Sequence, residues 1–122
     1  MQIVSACKAA EQQRVALFIN ARTGLFLAQG RDAAQSASEA LDRAKAYAAA
    51  GASGFFIPGL RADALIGRVC DDVALPVKVM VMDGVPSNDR LTEFGVSRNS
   101  YGPIPYIRAM GVLQQDAKKV LS

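Results

Sequence analysis

An α/β fold of parallel β/α units is predicted for this chain of 122 residues, and three observations predict it. Short apolar runs with the length and β-branching of strands buried on both faces recur at about 15–20, 54–58, 76–81 and, more weakly, 96–100. Helical patterns separate and flank them, giving the order α-β-α-β-α-β-α-β-α. No low-complexity linker interrupts the sequence, so residues 1–122 read as one domain. Such alternation implies right-handed crossovers and a parallel sheet. Four strands make either a small open sheet or half of an eight-stranded barrel.

The chain opens on a helical pattern over 1–13, with Ile3, Val4, Cys7 and Ala10 on one face and Gln2, Lys8, Glu11 and Gln12 on the other. Next comes Val15-Ala16-Leu17-Phe18-Ile19-Asn20-Ala21-Arg22-Thr23, an apolar run that ends in polar residues. Its short length and the β-branched Val15 and Ile19 favour a strand over a buried helix. Arg22 falls just past the carboxyl end of that strand. In α/β folds ligands bind at this end, where a guanidinium fork can hold a carboxylate or a phosphate.

After the polar Gly30-Arg31-Asp32, an Ala-rich helix is expected at about 36–50. Ser36 and Glu39 have capping-box spacing, and Glu39 and Arg43 form an i,i+4 pair. Ala37, Ala40, Leu41, Ala44, Tyr47 and Ala48 share the inner face, and Gly51 suits the left-handed position that ends a helix. Pro58-Gly59 stops the second strand. A helix at about 62–71 follows, with Asp63 as a candidate cap and Leu65, Ile66 and Val69 inward. Pro76 is tolerated at the first position of the third strand. Asp83-Gly84 makes a turn, Ser87 can cap a helix over about 88–94, and Gly95 ends it. Beyond the fourth strand, Tyr101-Gly102-Pro103 leads into a last helix over about 104–121, with Tyr106, Ile107, Met110, Leu113, Val120 and Leu121 apolar. All four strands are expected to be covered by helices.

Composition narrows the function classes. Hydrophobic residues make up 51% and charged residues 20%, which excludes a disordered chain. The net charge of +3 is spread along the sequence without a basic cluster, so no nucleic-acid partner is expected. No apolar run reaches the roughly 20 residues needed to span a bilayer, so no membrane partner is expected either. Met1 to Ala10 lacks the basic start of a signal peptide. Cys7 and Cys70 lie far apart without metal-ligand spacing, which reads as two free thiols in a reducing cytoplasm. The sequence contains no histidine, which removes Ser-His and Cys-His nucleophilic machinery and the commonest transition-metal ligand.

Five stretches, in order and over nearly the whole chain, resemble the isocitrate lyase/phosphoenolpyruvate mutase superfamily. They are Phe18-Ile19-Asn20-Ala21-Arg22-Thr23, residues 39–47 (EALDRAKAY), residues 50–60 (AGASGFFIPGL), Leu75-Pro76-Val77-Lys78-Val79-Met80, and residues 91–103 (LTEFGVSRNSYGP). The resemblance implies a TIM barrel that breaks or rearranges C–C or C–P bonds in 2-oxo- or 2-hydroxy-carboxylates with Mg²⁺. It covers only strands five to eight of that barrel. The family's magnesium-binding acidic residues and its flexible catalytic loop come from earlier strands, and no stretch here matches either. The expectation is therefore a truncated relative, inactive alone, with no catalytic residue and no metal ligand of its own and no cofactor bound by this chain alone. The alternative is a lyase or phosphonomutase completed by a dimer mate or by a separate first-half chain.

Arg22 resembles the family arginine that contacts the substrate's carboxylate or phosphonate, which makes a small carboxylate the expected ligand; the alternative is an arginine that pairs with a neighbouring loop carboxylate. Asn20 and Thr23 either hydrogen-bond that ligand or cap the following turn. Ser87 is a helix cap in a loop whose polar groups the family places near substrate. Pro58 and Gly59 read as loop geometry, and Asp83 as turn chemistry at the ligand-binding edge. The family commonly has an acidic residue at Gly24 and Asn at Lys78. A lysine within a strand marks either a sheet edge or a polar cavity. Half a barrel also has two free strand edges and an uncovered face. That predicts a homo-oligomer, most simply a dimer, with Leu17, Phe18, Phe55 or Phe56 in its interface and with Phe18, Phe56, Val79 or their alternating neighbours otherwise facing water.

Overall fold

A computed structural model describes residues 2–122. Met1, where the first helix was expected to begin, lies outside the described residues. The elements are α1 (Gln2–Gln12), β1 (Asn20–Arg22), α2 (Ala33–Ala49), β2 (Gly54–Phe56), α3 (Asp63–Asp72), β3 (Val77–Met80), α4 (Asn88–Glu93), β4 (Arg98–Ser100) and α5 (Ile104–Leu121). The strands lie side by side in sequence order, and every neighbouring pair is parallel, as the alternating pattern predicts.

Strand residues point alternately to the two faces of the sheet. Phe55, Ile57, Val77 and Val79 point to the helices and are buried among Ala40, Leu41 and Ala44 of α2, Ile66 and Val69 of α3, and Leu91 of α4. The Tyr47 ring meets Phe55 at 6.1 Å between centroids. The opposite face carries Asn20, Arg22, Phe56, Lys78, Met80, Arg98 and Ser100, none of which is fully buried. Of the alternatives left open, Phe55 and Val79 are core residues, and the alternating neighbours of Val79, Lys78 and Met80, take the open face. Period-two alternation assigns Phe56 to that face as well.

Regular strand pairing begins later than the apolar run suggests. Asn20 is the first strand residue, and Val15, Leu17 and Phe18 are each more than half exposed. The cause is position: β1 is an edge strand, with a partner on one side only. Contact with β2 starts at Ile19, whose carbonyl accepts from Ser53 and Gly54 N–H and whose N–H donates to Ser53 Oγ at 3.0 Å. The apolar character that suggested a doubly covered strand lies on an uncovered edge.

Helix α2 starts three residues before Ser36. Asp32 is its cap, and its side chain accepts from Gln35 N–H at 2.8 Å. Asp caps as well as Ser does and comes first in the chain. The capping box is not formed: Ser36 is buried, and its Oγ has no hydrogen-bond partner among the described residues. Glu39 pairs with Arg43 at 2.7 Å, as expected, and also with Arg31. The helix ends as predicted. Gly51 has φ +100°, and the Gly51 and Ala52 N–H groups donate back to the Ala48 and Tyr47 carbonyls.

Ala62, not Asp63, occupies the cap position of α3, without a side-chain bond. Asp63 lies in the first turn and accepts from Arg90 of α4 at 3.0 Å, while Arg90 also reaches Glu93 and stacks 4.2 Å from the Phe94 ring centre. Ser87 caps α4 as expected, accepting from Arg90 N–H at 3.3 Å.

The helical cover is incomplete. Neither α1 nor α5 has a buried residue, and Tyr106, Ile107, Met110, Leu113, Val120 and Leu121 of α5 are exposed. Their apolar stripes predict helices with one dry face, but the described residues leave the α5 stripe uncovered.

The turn after β2 depends on Gly59, which has φ +89°. A Cβ there would stand 2.6 Å from the Phe26 carbonyl oxygen. Gly59→Ala is expected to lose about 1–3 kcal/mol of stability through left-handed backbone strain and this clash. An unchanged urea midpoint would contradict that reading.

Candidate functional site

Parallel strands bring their carboxyl ends to one edge. Arg22 is the last residue of β1, Pro58 lies two residues beyond β2, Asp83 follows β3, and Tyr101 directly follows β4. The residues singled out from the sequence thus share an edge, but their side chains do different work.

Arg22 is exposed on the uncovered face and makes no ion pair among the described residues. Asn20, two residues earlier on the same face, lies across Gly54. A Cβ at Gly54 would stand about 3.1 Å from Asn20 Oδ1 and 3.0 Å from the Phe18 ring. Thr23 is turned the other way and is only 1% exposed. Its Oγ1 accepts from Leu25 N–H and from Arg43 Nη1, each at 3.4 Å, so it ties the loop after β1 to α2.

Pro58 is fully buried. The Ser87 hydroxyl is engaged as a cap. Asp83 is fully exposed, 3.9 Å from Arg108. The Tyr101 hydroxyl accepts from Asn88 Nδ2 at 3.2 Å, and Asn88 Oδ1 accepts from Asn99 Nδ2 at 2.9 Å, which fastens α4 to the end of β4.

Lys78 is in β3, an inner strand, so the sheet-edge reading of this lysine fails. It faces the uncovered side, with Nζ 4.8 Å from the centre of the Phe56 ring. The register places Arg22 beside Phe56, Phe56 beside Lys78, and Lys78 beside Arg98. One row across the sheet is therefore Arg22–Phe56–Lys78–Arg98. Sequence reading singled out Arg22 and Lys78 but missed Arg98, because register is a three-dimensional quantity. The available signal was a lone basic residue in each of three strands: Arg22 at the end of β1, Lys78 within β3 and Arg98 at the start of β4.

A hollow of about 480 Å³ runs along the free edge of β1, between α1 and the Asn20–Arg22 segment. Among the described residues no three of His, Cys, Asp and Glu come close enough to hold a metal. The donors present do not fit Mg²⁺, which needs convergent oxygen ligands. Cys70 is half-buried on α3, and burial, then the neighbouring Asp71, pushes its thiol up. A thiol held protonated is a poor nucleophile. The Cys7 thiol donates to the Gly51 carbonyl at 3.5 Å.

Comparison with known proteins gives this geometry its context. The profile of the phosphoenolpyruvate phosphomutase family matches residues 1–121. The chain belongs to that family. Among solved structures it is similar to a candidate phosphonomutase from Burkholderia cenocepacia J2315, with 44% identity and a TM-score of 0.86 over 96% of this chain and 48% of that one. A candidate lyase/mutase from the same organism is 29% identical, with a TM-score of 0.85, covering 96% of this chain and 42% of that one. 2,3-Dimethylmalate lyase, a member of the PEP mutase/isocitrate lyase superfamily, is 20% identical, with a TM-score of 0.79 over 97% of this chain and 41% of that one, and shows the fold. No curated protein matches. The four parallel β/α units of this phosphomutase-family chain are thus half of a TIM barrel, and the chain spans less than half the length of the structures it matches.

The two polar residues at the end of β1 are expected to separate by role. Thr23→Val removes a buried acceptor from two donors and is expected to cost about 1–3 kcal/mol. Arg22→Ala removes an exposed side chain without an ion pair and is expected to stay within about 0.5 kcal/mol of wild type. Chemical unfolding of both variants checks this, and comparable losses would refute the distinction.

Proposed function

We propose that this chain is the anion-holding second half of a phosphomutase-family barrel and is not catalytic by itself. Arg22 would bind the carboxylate or phosphonate group of a small 2-oxo- or 2-hydroxy-carboxylate, with the Asn20 carboxamide beside it on the same face. The observation that carries this reading is the unpaired Arg22 guanidinium at the carboxyl end of β1. An arginine fork there can make two parallel charge-assisted hydrogen bonds to a carboxylate or phosphonate. Thr23 would serve by fixing the loop, and Ser87 by capping α4 near the rim. The family's metal-binding carboxylates and catalytic loop belong to its other half, which supports the absence of turnover by this half alone.

A second reading is a lyase or phosphonomutase that becomes active, with Mg²⁺, when a second copy or a first-half chain completes the barrel. The free edges at β1 and β4 and the exposed Phe18 favour a completed assembly. Two free thiols suit a reducing compartment such as the cytoplasm.

Isothermal titration with oxaloacetate, pyruvate and phosphonopyruvate tests the proposal. Weak binding is expected, falling by about tenfold or more in Arg22→Ala as a charge-assisted fork is lost. No magnesium-dependent turnover is expected from the pure chain. Turnover by that chain, or binding indifferent to Arg22, would overturn the proposal.

A further inference from the structure

On the helix side of the sheet, a hollow of about 280 Å³ lies between the first turn of α2 and the loops that follow β1 and β2. Leu25, Phe26 and Leu60 form its apolar wall, and Leu25 and Leu60 belong to the helix-side core. Its polar lining side chains are Arg31, Ser36 and Arg61, and the remaining lining positions are alanine or glycine. Ser36 is 1% exposed, and its Oγ has no hydrogen-bond partner among the described residues. A helical serine can donate to the carbonyl one turn earlier, as Ser38 does to Ala34 at 3.4 Å, but Ser36 does not. Burying a hydroxyl unpaired costs stability. The other polar side chains of the hollow are guanidinium donors, so none of them offers that hydroxyl an acceptor. Glu39 holds Arg31 through Nη2, while Arg61 makes no ion pair among the described residues. The carboxylates on this stretch, Asp32 and Glu39, are engaged with Gln35 N–H and with Arg31 and Arg43, and neither lines the hollow. Ala33 and Ala34 open α2, and their N–H groups have no intrahelical acceptor.

We propose that this hollow binds a small phosphate monoester, at a site separate from Arg22. Donors border it from three segments: the Ser36 hydroxyl from α2, Arg31 from the loop after β1, and Arg61 from the loop after β2. A tetrahedral dianion accepts from all three directions, whereas a planar carboxylate is satisfied by one guanidinium fork. The positive end of the α2 dipole, with its unbonded N–H groups, adds to the attraction. The volume exceeds that of a bare phosphate and approaches the roughly 300 Å³ at which small-molecule sites begin. The carbon part of the ester lies on the wall of Leu25, Phe26 and Leu60. A phosphate oxygen there accepts from Ser36 Oγ and completes the one buried hydroxyl that the fold leaves unpaired among the described residues. The same reason accounts for a serine on the buried face of α2, where Ala37, Ala40 and Ala44 fill the neighbouring positions.

Isothermal titration of the full chain with propyl phosphate, inorganic phosphate and acetate tests this. Propyl phosphate is expected to bind most tightly, with inorganic phosphate about tenfold weaker for want of the apolar contact and acetate weaker still. Ser36→Ala and Arg61→Ala are each expected to lower propyl phosphate affinity by about tenfold or more, as a hydrogen bond to a charged group is lost. Arg22→Ala is expected to leave that affinity unchanged. Without ligand, Ser36→Ala is expected to unfold at the same urea midpoint as wild type or a higher one, because it removes an unpaired buried hydroxyl. That measurement separates lost binding from lost folding. Absence of propyl phosphate binding overturns the proposal, as does binding indifferent to Ser36 and Arg61. Acetate or inorganic phosphate binding as tightly as the ester overturns it too, and so does a lowered midpoint in Ser36→Ala, which would mean that the hydroxyl is spent on the fold. Binding lost only in Arg22→Ala would put the ester on the open face, overturning this site while leaving the proposed function standing.

Discussion

Burial on one face of the sheet is the constraint from which the rest of this structure follows. Period-two alternation sends Phe55, Ile57, Val77 and Val79 into the layer formed by α2, α3 and α4. The same alternation sends Asn20, Arg22, Phe56, Lys78, Met80, Arg98 and Ser100 to a side where the described residues bury none of them fully. Burying an aliphatic or aromatic side chain contributes about 1.5–3 kcal/mol, so the helix-facing residues fix the sheet and its strand order. The opposite face is free to carry charge, and it does.

The polar residues around the rim divide along the same line. Those turned toward the helices or the loops between them, Thr23 and Ser87 among them, spend their hydrogen bonds on the fold. Asn88 and Asn99 do likewise with Tyr101. Those turned to the open side, Arg22, Lys78 and Arg98, make no ion pair among the described residues. A guanidinium without a carboxylate is an incomplete interaction, and here three cations are incomplete on one face.

Membership in the phosphoenolpyruvate phosphomutase family explains the geometry without assigning chemistry to this half. The chain superposes on less than half of each of the three solved relatives named above, and among its described residues no cluster is able to hold a metal. The bare edge of β1 and the uncovered stripe of α5 belong to the same pattern of surfaces that this chain leaves unfinished.

The sequence by itself determined the order of elements, the parallel sheet, the Gly51 and Ser87 helix boundaries and the edge on which Arg22 stands. These are local signals: alternation of strand and helix periods, glycine at a left-handed position, a hydroxyl before a helix. It also carried the family resemblance, because motif order survives without coordinates. Only the tertiary structure decided which apolar residues are dry. Val15, Leu17 and Phe18 have the composition of a buried strand, but an edge position leaves them wet; Phe55 and Phe56 are adjacent and alike, yet opposite faces give them opposite surroundings. Asp32 took the cap from Ser36 because a side chain that bonds first along the chain fixes where the helix begins. Thr23 turned toward α2 and Arg98 joined the row of cations for one reason. Face and register depend on which strands pair and at what offset, and those are properties of the sheet rather than of any one segment.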